Sequence, residues 1–200
     1  MLRLPLTALD LSLAETVIPA GDDVVVEIGA AKDALYVTQR QGPLTRLLRV
    51  PHAKEIRPAP VALPFAGHVE LGFTDADHDG AVFELGSWIR SARFHQYDPS
   101  ASKVALLPFE PPGKFDAPEG LVAREVRVRS HDGVEIPASI VMRADTRLDG
   151  SNPTILYGYG AYGTTEDPGW SPRLLAWLDR GGVFVIAHVR GGGVFGDAWH

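Results

Sequence analysis

The chain has no cysteine, which removes disulfides and thiolate metal sites from consideration. No apolar run approaches the ~20 residues that a membrane-spanning helix needs. The opening stretch MLRLPLTALDLSLAE, interrupted by Pro5 and Asp10, is too short and broken for a secretory leader. The seven histidines show no H-x-x-x-H or similar ligand spacing, so no metal site is expected. A net charge of −6 without a basic cluster argues against a nucleic-acid surface. The expectation from these absences is a cytoplasmic chain with neither nucleic acid nor membrane as partner. What is present, 45% hydrophobic and 22% charged residues, is the composition of an ordinary globular chain. Two hundred residues suit one domain or two small ones.

Residues 1 to about 120 read as short strands and turns. Val24–Ile28, Ala34–Gln39 and Thr45–Val50 are separated by Ala-Lys-Asp and Gln-Gly-Pro breaks of hairpin grade. Val69–Phe73, Ala81–Leu85, Ile89–Tyr97 and Lys103–Leu107 follow. Asp33-Ala34-Leu35-Tyr36-Val37 and Gly80-Ala81-Val82-Phe83-Glu84 both follow turns and lie 47 positions apart, within the range of propeller blades. A two-sheet sandwich is the alternative. Asp75-Ala76-Asp77-His78-Asp79-Gly80 begins like a calcium loop, but its twelfth position is Gly86 where a bidentate Glu is required, so a polar hairpin turn is expected. Pro108, Pro111, Pro112, Gly113 and Pro118 mark a linker. Beyond it Glu125–Arg129 and Val134–Met142 alternate, with Val126, Val128, Ile136 and Ile140 on potential inner faces and His131-Asp132-Gly133 as the turn. Pro137 cannot donate to a ladder, which predicts a sheet edge or a bulge.

The stretch Ser151 to His200 organises the rest. Two apolar runs, Thr154–Tyr159 and Val183–Val189, each end in a glycine cluster. Between them Ser171 to Arg180 is predicted to be a helix, with Ser171 as N-cap, Pro172 in the first helical position and Gly181 closing it. Leu174, Leu175 and Leu178 form its apolar stripe. Strand, helix, strand at this spacing is a parallel βαβ unit, which puts both glycine clusters at carboxyl strand ends, where open α/β sheets place ligands. His188, inside an apolar strand, is expected to be a hydrogen-bonded core histidine.

Gly158, Gly160 and Gly163 spell G-x-G-x-x-G, and Gly191, Gly193 and Gly196 spell it again. A dinucleotide site needs a helix to open on those glycines, and Thr164 to Pro172 intervenes. An NADP-binding oxidoreductase using Arg190 is the weaker reading. The fuller strings are more specific. Y-G-Y-G-A-Y-G, S-P-R-L-L-A-W-L-D-R-G and H-V-R-G-G-G-V-F-G-D-A-W-H closely resemble the prolyl oligopeptidase family of serine peptidases, as do Arg129 to Pro137 and Leu148 to Pro153 upstream. The resemblance is strong over about 125–200 and weak before it.

The resemblance implies a mixed fold: the C-terminal blades of a β-propeller, two to three of them, over 1–120, then the beginning of an α/β-hydrolase domain over 121–200. It implies hydrolysis of short peptides, post-proline cleavage favoured, through a Ser-Asp-His triad, by a monomeric parent without cofactor or metal. Tyr159 matches the family's oxyanion-hole tyrosine, and Tyr162 matches a position lining the pocket for the residue before the scissile bond. Prolyl oligopeptidases carry Phe there, and the A-Y-G variant also resembles oligopeptidase B, which prefers basic residues. Gly158, Gly160, Gly191, Gly192 and Gly193 are the structural turns. No serine stands in G-x-S-x-G; Ser87, in Leu-Gly-Ser-Trp, lacks the second glycine. The triad is therefore expected beyond residue 200, and this piece alone is expected to fold poorly and to be inactive. A catalytically dead peptide-binding module is the alternative.

Overall fold

A computed structural model describes residues 1–7, 10–53 and 56–200. Ala8 and Leu9, within the stretch read for a leader, lie outside the described residues. The first elements, β1 (Leu2–Arg3) and β2 (Glu15–Thr16), pair as a small ribbon. An antiparallel sheet follows, made in chain order of β3 (Val24–Ala30), β4 (Ala34–Gln41), β5 (Leu44–Pro51) and β6 (Ala59–Pro60). A second one repeats the plan with β7 (His68–Phe73), β8 (Ala81–Ser87), β9 (Arg90–Asp98) and β10 (Lys103–Leu106). Each strand predicted in this region is present, displaced by a few residues at its ends.

The 47-residue repeat is physical. Tyr36 on β4 and Phe83 on β8 are both fully buried, and they share one core with Leu47, Val69 and Leu85 between the two sheets. Burying a side chain of this size stabilises by about 1.5–3 kcal/mol. The repeat is also tied directly, because the Gly80 N–H donates to Asp33 Oδ1 at 2.8 Å. Asp33 Oδ2 accepts from the Tyr36 hydroxyl at 3.0 Å and Arg49 Nε at 2.8 Å. Asp75 to Gly80 is the expected polar turn, with Asp75 Oδ1 accepting the Asp77 N–H.

The third sheet is mixed, in the order β11 (Leu121–Arg129), β12 (Glu135–Arg143), β14 (Val183–Ala187), β13 (Thr154–Tyr157). β13 and β14 run parallel, as the βαβ reading requires, while β12 is antiparallel to both β11 and β14. The crossover carries a 3-10 turn, Pro172–Leu174, and then α1 (Leu175–Leu178), which buries Leu178. Gly181 has the left-handed backbone expected of it, with φ 80°.

Three expectations are corrected. The Ser171 side chain makes no capping bond; the Leu174 N–H is taken by the Ser171 carbonyl, because the helix opens as a tighter 3-10 turn. Pro137 lies on β12, an interior strand, and not at an edge. Its carbonyl accepts the His188 N–H just beyond the last β12–β14 pair, so its missing N–H falls where that ladder ends. Val126, Ile136 and Ile140 are only half-buried and Val128 is exposed. Deep burial goes instead to Ala138, Val141 and Met142, since β12 is covered on both faces. The tip of the β8–β9 hairpin packs here too. Trp88 and Ile89 join Leu121, Val141, Leu178 and Ile186 in the core of the third sheet.

Candidate functional site

Both glycine clusters lie just beyond the carboxyl ends of β13 and β14 and pack backbone against backbone. The Gly163 N–H donates to the Gly191 carbonyl at 2.9 Å, and the Gly191 N–H to that of Trp199 at 2.9 Å. A Cβ at Gly191 would overlap the Gly160 carbonyl, and one at Gly193 that of Gly163. Gly192 is packed against Thr164, and Gly158 lies beside the Ala187 carbonyl. The contact explains why both runs stop as strands earlier than predicted, at Tyr157 and Ala187. Past those points, apart from the His188 N–H on the Pro137 carbonyl, the loops bond to each other rather than to a neighbouring strand.

Ala161 to Thr164 forms a tight turn, closed by the Thr164 N–H on the Ala161 carbonyl at 3.0 Å. Its two central residues, Tyr162 and Gly163, have φ of 56° and 64°, the sign pattern of a type I′ turn. Glycine takes that backbone freely, whereas a tyrosine there costs about 1–2 kcal/mol. Tyr162 is nonetheless 87% exposed, so no packing offsets the strain. Tyr159 is half exposed, and its hydroxyl has no hydrogen-bond partner among the described residues. Tyr157, by contrast, donates to Glu166 Oε1 at 3.3 Å. The two predicted site residues therefore stand together on one loop, aromatic surface outward.

The loop is held from the other sheets by residues that sequence reading missed. Asp167 Oδ1 accepts from Arg40 Nη2 of β4 at 2.8 Å, and His68 Nδ1 of β7 lies 3.6 Å from the same oxygen. Trp170 Nε1 donates to the Phe115 carbonyl at 2.7 Å. Partners this remote in sequence leave no local pattern. Arg190, the residue an NADP site would use, is paired with Asp132 at 2.5 Å.

Beneath the loop, Ser139, His188 and Glu125 imitate a catalytic triad. The Ser139 hydroxyl donates its one proton to Glu125 Oε2 at 2.6 Å, and His188 Nε2 faces the same hydroxyl oxygen at 2.9 Å. The imidazole must then supply an N–H to Ser139, so it does not act as a base toward that hydroxyl. Ser139 and His188 are also sealed from solvent. Burial pushes His188 down to about 4; the nearby Asp167 carboxylate opposes this and Arg40 reinforces it. Burial raises Glu125, against hydrogen bonds from Ser139 and Trp88. The set is a structural network around a neutral imidazole, as predicted for His188.

No family model matches the chain. An uncharacterised peptidase of Sinorhizobium fredii is 33% identical over 219 aligned residues, covering 100% of this chain and 31% of the relative. Prolyl endopeptidase of Elizabethkingia meningoseptica is 38% identical over 140 residues, covering 70% of this chain and 20% of that protein. A solved prolyl endopeptidase superposes with a TM-score of 0.83 at 24% identity, over 100% of this chain and 29% of its own. At that identity the superposition speaks for the fold. The chain thus spans between about a fifth and a third of the length of these three proteins. Over that span, in sequence and in fold, the chain belongs to the prolyl endopeptidase and oligopeptidase family of peptidases.

Proposed function

We propose that residues 1–120 are the last blades of a β-propeller and residues 121–200 the N-terminal part of an α/β-hydrolase catalytic domain. Together they form part of a serine-type oligopeptidase that hydrolyses short peptides, with cleavage after proline favoured. One observation carries this reading. Tyr159, its hydroxyl free of partners among the described residues, stands at the carboxyl end of a parallel strand beside Tyr162, which a strained turn holds out to solvent. Strain without local compensation marks a residue kept for a contact outside its own packing.

In the proposed reaction a serine hydroxyl oxygen adds to the peptide carbonyl carbon while a histidine takes its proton. The Tyr159 O–H donates to the oxyanion that forms, the amine leaves with the proton, and water then hydrolyses the acyl-enzyme. Tyr162 offers its ring to the residue before the scissile bond. The nucleophile and its partners are assigned to sequence beyond residue 200, since no serine here stands in the required elbow. β13 supports continuation of the sheet. It is an edge strand with Ile155, Leu156 and Tyr157 all exposed, which leaves side chains on both of its faces for further elements to cover. The chain by itself is accordingly inactive, and its parent is a monomeric cytoplasmic enzyme without metal or organic cofactor.

The test is steady-state hydrolysis, by the intact protein, of two fluorogenic peptides with proline or arginine before the scissile bond. Turnover of the proline peptide, and a Tyr159→Phe loss in kcat of about 100–1000-fold, are expected. An unchanged kcat in Tyr159→Phe would refute the oxyanion role. Binding of both peptides without turnover would transfer the reading to a dead binding module.

A further inference from the structure

The geometry points to Arg40 as a positioning residue that fixes, through the Asp167 carboxylate, the loop bearing Tyr159 and Tyr162, with His68 lying beside the same carboxylate. Arg40 and His68 come from different antiparallel sheets, β4 of the first and β7 of the second, and both converge on the same oxygen, Oδ1. Arg40 is 8% exposed, and Asp167 is its only carboxylate partner among the described residues. Its Nε and the His68 Nδ1 make no hydrogen bond of their own, so Asp167 is the group that answers this charge.

A partly buried ion pair adds little net stability, because desolvation offsets the attraction; what it fixes is register. The register fixed here is that of a loop in which Asp167 lies a few residues after Tyr162. On its far side the same loop is fastened to the third sheet through Gly163 and Gly191. It is therefore clamped between the antiparallel sheets and the mixed one, and a shift of either moves the two tyrosines. For its effect on turnover, this inference rests on the peptidase reading above; the clamp itself does not.

Two readouts on the intact protein test it, with Arg40→Met, Arg40→Lys and Asp167→Asn. Arg40→Met should speed amide exchange over 159–167 about tenfold or more and leave β13, β14 and β5 unchanged. Peptide turnover should fall by about tenfold or more, with kcat carrying a larger share than KM, because a misplaced Tyr159 hydroxyl meets the oxyanion less well. Arg40→Lys, which keeps the charge, should recover most of both effects. Should Arg40→Met fail to fold, Asp167→Asn, on the loop itself, reports the same two quantities. Unchanged exchange over 159–167, or acceleration spread equally over β4 and β5, would overturn the clamp. A wild-type protein inert toward peptides would sink the peptidase reading alone, while the exchange comparison would still decide for or against the clamp.

Discussion

Asp33 joins the two antiparallel sheets, and its removal should loosen them measurably. Its side chain is only 11% exposed and takes three hydrogen bonds, from the Gly80 N–H, the Tyr36 hydroxyl and Arg49 Nε. Asp33→Ala leaves a fully buried phenol, a turn amide and a half-buried guanidinium without their acceptor. Losing a bond to a charged acceptor costs about 1.5–3 kcal/mol, and neighbouring losses are not additive, so a net of about 3 kcal/mol is expected. That is a fifth or more of the stability of a typical domain, about 5–15 kcal/mol. Native-state hydrogen exchange reads it locally. The amides of Gly80 and Lys32, the latter bonded to Asp75 and His78, should exchange about 100-fold faster. Amides of β11 and β12 should not change. Acidity gives an independent check. Burial raises the Asp33 carboxyl, but the bonds from Gly80, Arg49 and Tyr36 outweigh it and leave the group below the usual carboxylate range. Its contribution is therefore complete above about pH 4 and is lost as pH falls through the lower folded value. Asp33→Asn should flatten that acid loss. Equal exchange in wild type and Asp33→Ala would refute the idea that this carboxylate ties the sheets together.

His188 predicts a second acid effect at higher pH. Its ring is held neutral down to about 4, so its contribution is full above about 6.5 and is lost as pH falls toward 4. Urea midpoints between pH 7 and 4 should fall by the equivalent of up to about 3 kcal/mol more in wild type than in His188→Asn. Two of the left-handed glycines, Gly181 and Gly191, should separate by environment. Gly181→Ala meets nothing within 4 Å and should cost about 1–2 kcal/mol in thermal stability. Gly191→Ala collides with the Gly160 carbonyl and should cost clearly more. Tyr162→Asn should raise stability by about 1 kcal/mol, because asparagine suits the turn, while raising KM for the peptide; a KM that stays put would remove Tyr162 from the binding surface.

How much of this was legible in the sequence depends on the range of the interaction. Seven of the eight strands between Val24 and Leu106 followed from alternation and turn residues, which are local; the two-residue β6 offers too short a pattern to read. The repeat was readable because Ala34 and Tyr36 recur as Ala81 and Phe83, and the Asp33–Gly80 bond is its physical counterpart. Tyr159 and Tyr162 could be singled out because a specific glycine string frames them. The strain at Tyr162 could not, since backbone sign is decided by the closing turn. Pro137 misled because the penalty for a missing N–H depends on where the partner strand ends, which is a tertiary fact. Arg40 with Asp167, and Trp88 inside the third sheet, are long-range contacts with no periodic trace. An apolar Trp-Ile pair at a hairpin tip was the one available hint that the turn is buried.

The proposed function places this chain at the junction of a propeller and a hydrolase domain in a serine-type oligopeptidase. The most direct test is the intact mass of the native protein from its source, taken before and after a fluorophosphonate. The account predicts a mass far above 21.6 kDa that gains one adduct. A protein of 21.6 kDa that takes up none would contradict it.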